Sequence, residues 1–262
     1  LALDFSSPWL STIVLLALRL AAVFMMTPIL YAISMPVTVR VFVVLGLSVA
    51  LASGMPATSL PIATAGAFIE AAAAEIALGA TLGLGILLAF GAFTVAGHLL
   101  DVQIGFGIAQ VFDPVSQRQL PILTSAFNQL AVLVFFLVDG HHALLRGISY
   151  SLERFPLGGA WMVSDAAGAV LRQVGGLFSL GFALAAPVAF CILLLELALG
   201  VVSRNLPQMN MFAIGIPIKI VVGLAALSLW FAGMGAVMNR IYASIYQTWD
   251  QVFSVPVSAE RR

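Results

Sequence analysis

The chain has 262 residues, 62% of them hydrophobic and 8% charged, against about a quarter charged in an ordinary soluble domain. Eleven basic and eleven acidic residues cancel, so neither nucleic acid nor an anionic lipid surface is an obvious electrostatic partner. A mean hydropathy of +1.11, with no charge at all between Ile76 and Gly97, excludes a soluble globular domain and predicts an all-α integral membrane protein, because ~20 helical residues cross a ~30 Å hydrocarbon core.

The first expected span covers residues 9–27 and is closed by Pro28, with Arg19 near its middle. The opening stretch has no basic region of the secretory kind, so this run is expected to remain as an anchor. A second span, 37–53, starts at Arg40 and ends on Gly54-Met55-Pro56. The short connection between them predicts an antiparallel hairpin. A small-residue segment carrying Glu70 and Glu75 leads into the third run, 76–97. In that run Gly79 and Gly83 lie four apart, which lets another helix approach closely.

A linker follows, expected from His98 to Pro121 and containing GFGIAQVFDP. Gly105 and Gly107 permit sharp turns there, Phe106 and Phe112 can fill an apolar opening, and Asp113-Pro114 can set a bend. The fourth span, 122–138, holds Asn128 and Gln129 and ends on Asp139-Gly140-His141-His142. Residues 143–173 mix apolar positions with Arg146, Glu153, Arg154, Asp165 and Arg172, which predicts helical extensions partly outside the hydrocarbon. Spans at 174–195 and 220–237 complete a count of about six.

Between the last two lies LPQMNMFAIGIPIK, whose Pro207 and Pro217 predict a turn or re-entrant element in place of a continuous helix. The tail from Asn239 carries Tyr242, Tyr246 and Trp249, suited to an interfacial amphipathic helix or to a neighbouring subunit. Arginine and lysine positions weakly favour both termini on the inner side.

Charges inside such a chain need partners. Arg19 demands an acid, a carbonyl cluster or a route to the interface, and Glu196 poses the mirror problem, with Arg204 eight residues on and Lys219 beyond it. The single cysteine, Cys191, excludes an internal disulfide and is expected to be a small buried hydrophobe. No chemistry stands out. His98 and Asp101 lack a nucleophile, His141-His142 lack a recognisable set of companion ligands, and no phosphate-binding loop is present. The residues alone predict a protein that is not an enzyme and uses no cofactor.

The order of motifs resembles the FliR family of flagellar type III protein-export components, related to the T subunits of virulence injectisomes. The resemblance runs through Arg19, Pro28 and Pro36–Arg40, then AGHLLDVQIGFGIAQVFDP at 96–114, LVDGHHALLRGISYSLERFPLG at 137–158 and NLPQMNMFAIGIPIK at 205–219. It implies a gate subunit in a helical hetero-oligomer, with five FliP-like and four FliQ-like subunits to one copy of this chain, contacting an FlhB-like switch protein. Residues 1–173 would form a P-like part and 174–262 a Q-like hairpin and tail, bent within the assembly and raised toward the periplasm. The cargo implied is unfolded flagellar protein crossing the inner membrane. Phe106, Gly107, Gln110, Val111, Phe112, Asp113 and Pro114 would then contribute to closing the conduit. Arg19, Glu196, Arg204, Pro207, Pro217 and Lys219 would make assembly or buried polar contacts. A virulence-system gate subunit, and a self-contained transporter of ions or small solutes, are the alternative readings.

Overall fold

The computed structural model describes residues 8–28, 35–54, 64–106, 121–159, 161, 163–206, 208 and 210–254. Among them eight α-helices occur: α1 (Pro8–Met26), α2 (Val37–Gly54), α3 (Ala65–Ile104), α4 (Ile122–Leu137), α5 (Gly140–Arg154), α6 (Val163–Asn205), α7 (Met211–Phe231) and α8 (Gly235–Ser254). The described residues contain no strand. Five stretches, in α1, α2, α3, α6 and α7, are long and apolar enough to cross a membrane. The pair α4 and α5, bent by 71° at its break, makes a sixth if the two are counted as one span.

Two helices far exceed a simple span. α3 has 40 residues and α6 has 43, so at ~1.5 Å per residue each is roughly 60 Å long, about twice the hydrocarbon thickness. The expected third span of 76–97 is therefore too short at both ends. Glu70, Glu75, His98 and Asp101 all lie within α3, where partners elsewhere in the chain hold the last-named acid and Glu75. In the sequence these polar residues read as the limits of the span, because charges usually mark where a helix leaves the hydrocarbon.

The described residues fall into two compact units, interleaved in sequence: Leu1–Leu88 with Phe135–Val174 and Ser244–Arg262, and Ala89–Val134 with Gly175–Ala243. In the first, α1 packs on α2 and on the start of α3. A Cβ on Gly79 would lie 2.3 Å from the Arg19 carbonyl oxygen, and one on Gly83 would lie 2.7 Å from the Met26 Cβ. The four-residue glycine spacing thus does what it predicts, allowing two backbones to approach. Trp249 fills the same unit from α8. Its indole N–H donates to the Leu82 carbonyl at 3.1 Å, and a Cβ on Gly147 of α5 would fall 2.0 Å from the ring.

In the second unit, Gly97 abuts Thr124 at the start of α4, and Gly181 of α6 abuts the Ala92 carbonyl. Tyr242 packs between Phe90 and Phe93 at 6.2 and 5.8 Å, and its hydroxyl donates to the Ala131 carbonyl at 2.5 Å. Tyr242 and Trp249 are both buried. They are internal packing groups of α8, not interfacial anchors or exposed rings. Burial pushes the Tyr242 and Tyr246 phenols up from their ordinary range.

Three further expectations are corrected. Cys191 is exposed; it sits on an outward face of α6, and in an apolar chain an outward position need not be polar. The segment 206–219 is no re-entrant loop. The alternative expectation of a turn holds, since the described residues 206, 208 and 210 lie outside any helix, and α7 then runs through Pro217 without a break. Proline is tolerated in such helices because neighbouring groups and small backbone adjustments satisfy the freed carbonyl. The last expected span, 220–237, is interrupted by a turn at residues 232–234.

Candidate functional site

Of the residues assigned to closure, only Phe106 is described, and it is half-buried two residues beyond the end of α3. Gly107, Gln110, Val111, Phe112, Asp113 and Pro114 lie outside the described residues. What the structure does define is the base from which they depart. Gly105 has a φ of 99°, the left-handed conformation that ends helices on glycine, and its N–H donates to the Asp101 carbonyl at 3.3 Å.

The return stem is held by the same residue. The Asp101 carboxylate accepts hydrogen bonds from the Leu123 and Thr124 backbone N–H groups, both at 2.9 Å, and from the Thr124 hydroxyl at 2.8 Å. These are the unpaired donors at the start of α4, and an Asp oxygen is a favoured acceptor for them. Asp101 therefore caps α4 from α3, across a gap of more than twenty residues. Buried Asp101 thus fixes the start of α4 against the last turn of α3. The sequence reading missed Asp101, weighing it only as a catalytic partner of His98. The available signal was that Leu120-Pro121 offers α4 no capping side chain of its own.

Arg19 forms the second polar centre, 1% exposed against 2% for Glu75. Its Nε donates to Glu75 Oε2 at 2.5 Å and its Nη2 to Glu75 Oε1 at 3.1 Å. Nη1 donates to the Ser151 carbonyl at 3.1 Å and to Ser151 Oγ at 3.3 Å, and Nη2 also donates to the Phe155 carbonyl at 2.9 Å. All five guanidinium N–H groups are thus used. Glu75 also accepts from the Gly158 N–H at 3.1 Å. One arginine locks α1, α3, α5 and the turn after α5 together.

The third centre joins α6 to α7, where Lys219 Nζ donates to Glu196 Oε1. The side chains are 25% and 40% exposed. Lys219, not Arg204, is the partner of Glu196; Arg204 is exposed near the end of α6. A helix turn brings residues 23 apart together here, whereas α6 continues rigidly from 196 past 204. Pro217 lies within α7, two residues before the lysine, and Pro207 lies outside the described residues. Among the described residues one group has metal-ligand chemistry, Asp139 with His141 and His142.

Every centre described so far holds helices together, and none brings a nucleophile, an acid and a base to one place. The molecule is an all-α membrane protein whose polar side chains fasten very long helices and the base of one long connection. A family model for "Bacterial export proteins, family 1" matches residues 10–245. The chain is 29% identical to "Flagellar biosynthetic protein FliR" of Escherichia coli (strain K12) over 252 residues, 95% of this chain and 96% of that protein. It is 31% identical over 184 residues to the protein of the same name in Bacillus subtilis (strain 168), 69% of this chain and 71% of that one. "Surface presentation of antigens protein SpaR" of Shigella sonnei is 33% identical over 147 residues, 55% and 56% of the two chains. This chain belongs to the family of bacterial export proteins that includes FliR. Its members are non-enzymatic components of an export apparatus.

Proposed function

We propose that this chain is a structural and channel-closing subunit of the flagellar type III export gate in the bacterial inner membrane, passing unfolded flagellar proteins. Alignment with flagellar FliR proteins over nearly the full length supports the pathway, and five long apolar helices support the membrane location. The observation that carries the closing role is the Asp101 clasp. A plug must sit on a base that does not yield when the plug moves, and Asp101 ties both stems of 107–120 by three hydrogen bonds.

In this reading Phe106, Gly107, Gln110, Val111, Phe112, Asp113 and Pro114 close the conduit, since an apolar seal keeps ions from discharging the membrane potential. FliP-like and FliQ-like subunits, five and four to one copy of this chain, cover the outward apolar faces of α6 and α7, and an FlhB-like protein docks on the assembly. Residues 1–173 act as the P-like part and 174–262 as the Q-like part. The roughly 60 Å length of α3 and α6 favours an assembly raised toward the periplasm over simple crossings. Arg204, Pro207 and Pro217 shape contacts around the α6–α7 turn. SpaR similarity over about half the chain keeps a virulence pathway as the second reading.

Native mass measurement of complexes co-purified with this chain tests the proposal. One copy should appear with FliP-like and FliQ-like subunits in fixed ratio. A monodisperse monomer that alone catalyses solute flux in vesicles would instead support a self-contained transporter.

A further inference from the structure

We propose that Asp139, His141 and His142 form a binding site for a divalent transition-metal ion, with zinc(II) as the first candidate, at the break between α4 and α5. One ligand atom from each of the three side chains lies within 4.8 Å of the others. Two imidazoles and a carboxylate match the three-ligand sets that hold zinc with a fourth position open. Asp139 and His142 are 77% and 63% exposed, so water can take that position. Small side-chain rotations bring 4.8 Å to the ~3.3 Å that separates ligand atoms around a tetrahedral ion.

Three observations describe the group, and the unpartnered nitrogen among them points to a ligand. Asp139 occupies the N-cap position of α5 yet makes no side-chain capping bond, although an Asp there normally accepts from the first backbone N–H groups. Its Oδ1 instead lies 3.4 Å from His142 Nδ1. Next, His141 Nδ1 is enclosed and has no hydrogen-bond partner among the described residues. An enclosed ring nitrogen without a partner is costly, and a metal ion is a partner it can accept. Lastly, the two imidazole ring centroids lie 4.1 Å apart with the planes tilted by 38°, so the sequence neighbours are also neighbours in space.

The backbone explains how a carboxylate joins them. Asp139 adopts the left-handed conformation at φ 56°, where α4 and α5 diverge by 71°, and this fold brings its side chain to the first turn of α5. A helix N-terminus alone repels cations. The carboxylate charge and two imidazole lone pairs reverse that preference. A bound ion would pin the break between α4 and α5, whichever pathway the chain serves.

The test uses the full chain, purified through an affinity tag without histidine and stripped with chelator, then titrated with zinc(II) calorimetrically and with cobalt(II) by visible absorption. One zinc per chain and tetrahedral cobalt bands are expected. Asp139→Gly removes the carboxylate while suiting the left-handed backbone, so misfolding does not confound it. That variant and His142→Gln should each weaken zinc binding by more than the ~10–100-fold that loss of an outer-shell partner costs, and abolish the cobalt bands. Wild-type protein that takes up no metal above buffer, or variants that bind with wild-type affinity, would overturn the proposal.

Discussion

The pairs Arg19–Glu75 and Glu196–Lys219 both join a carboxylate to a cation between helices of an apolar chain, yet they are built differently. Arg19 is fully enclosed, fork-on to the glutamate, with its remaining donors on two carbonyls and a hydroxyl from α5 and the turn beyond. Glu196 and Lys219 share one contact between two successive helices and stay partly open. Desolvation makes the first arrangement intolerant of losing either member. Solvent or a neighbouring chain can replace the partner in the second. Hence the first fixes the internal structure of its unit, and the second tolerates the loss of its partner.

The largest effect should come from breaking the enclosed pair on one side. Arg19→Met leaves Glu75 buried with only the Gly158 N–H, at a cost of about 3–5 kcal/mol. Thermal unfolding in detergent and incorporation into the assembled complex would both report it. Adding Glu75→Leu should restore much of the loss, because an apolar replacement of both members leaves no orphan charge. A double variant as unstable as the single one would show that Arg19 acts through its α5 contacts instead.

The clasp at Asp101 comes next. Asp101→Ala deprives two backbone N–H groups and one hydroxyl of their acceptor, costing about 0.5–2 kcal/mol as for other lost helix caps. Proteolysis within 107–120 should quicken while the rest of the chain resists. If cleavage there is unchanged, the stems are held by something other than this carboxylate.

Lys219→Met should have the smallest effect on the isolated chain, about 0–1 kcal/mol, because the pair is partly solvated and its attraction is screened. Co-purification with neighbouring subunits should fall more than stability does. The reverse ranking of Arg19 and Lys219 would break the comparison.

Much of the helix content was legible because apolar runs of span length have few alternatives in a membrane. Gly79 and Gly83 announced a close approach, and Arg19 announced a partner. Which acid it would meet was not legible: Glu75 lies 56 positions away, and such pairing depends on how α1 lies along α3. The same holds for Lys219 replacing Arg204. Asp101 was hidden for another reason, since a cap supplied from a distant helix leaves no local motif. Cys191, Tyr242 and Trp249 were misplaced because hydrophobicity in a membrane chain does not separate inside from outside, and only packing does. His141-His142 were weighed as ligands and set aside for want of companions, because adjacent histidines diverge on an ideal helix and the left-handed Asp139 is not visible as composition.

Ion conductance of purified, fully assembled complexes tests the central claim most directly, comparing wild type with Phe112→Ala and Asp101→Ala at equal subunit content. Conductance should rise in both variants, in the first because an apolar group leaves the seal and in the second because the base of the closing segment loosens. Conductance unchanged from wild type in both, with normal assembly, would contradict a closing role for this chain.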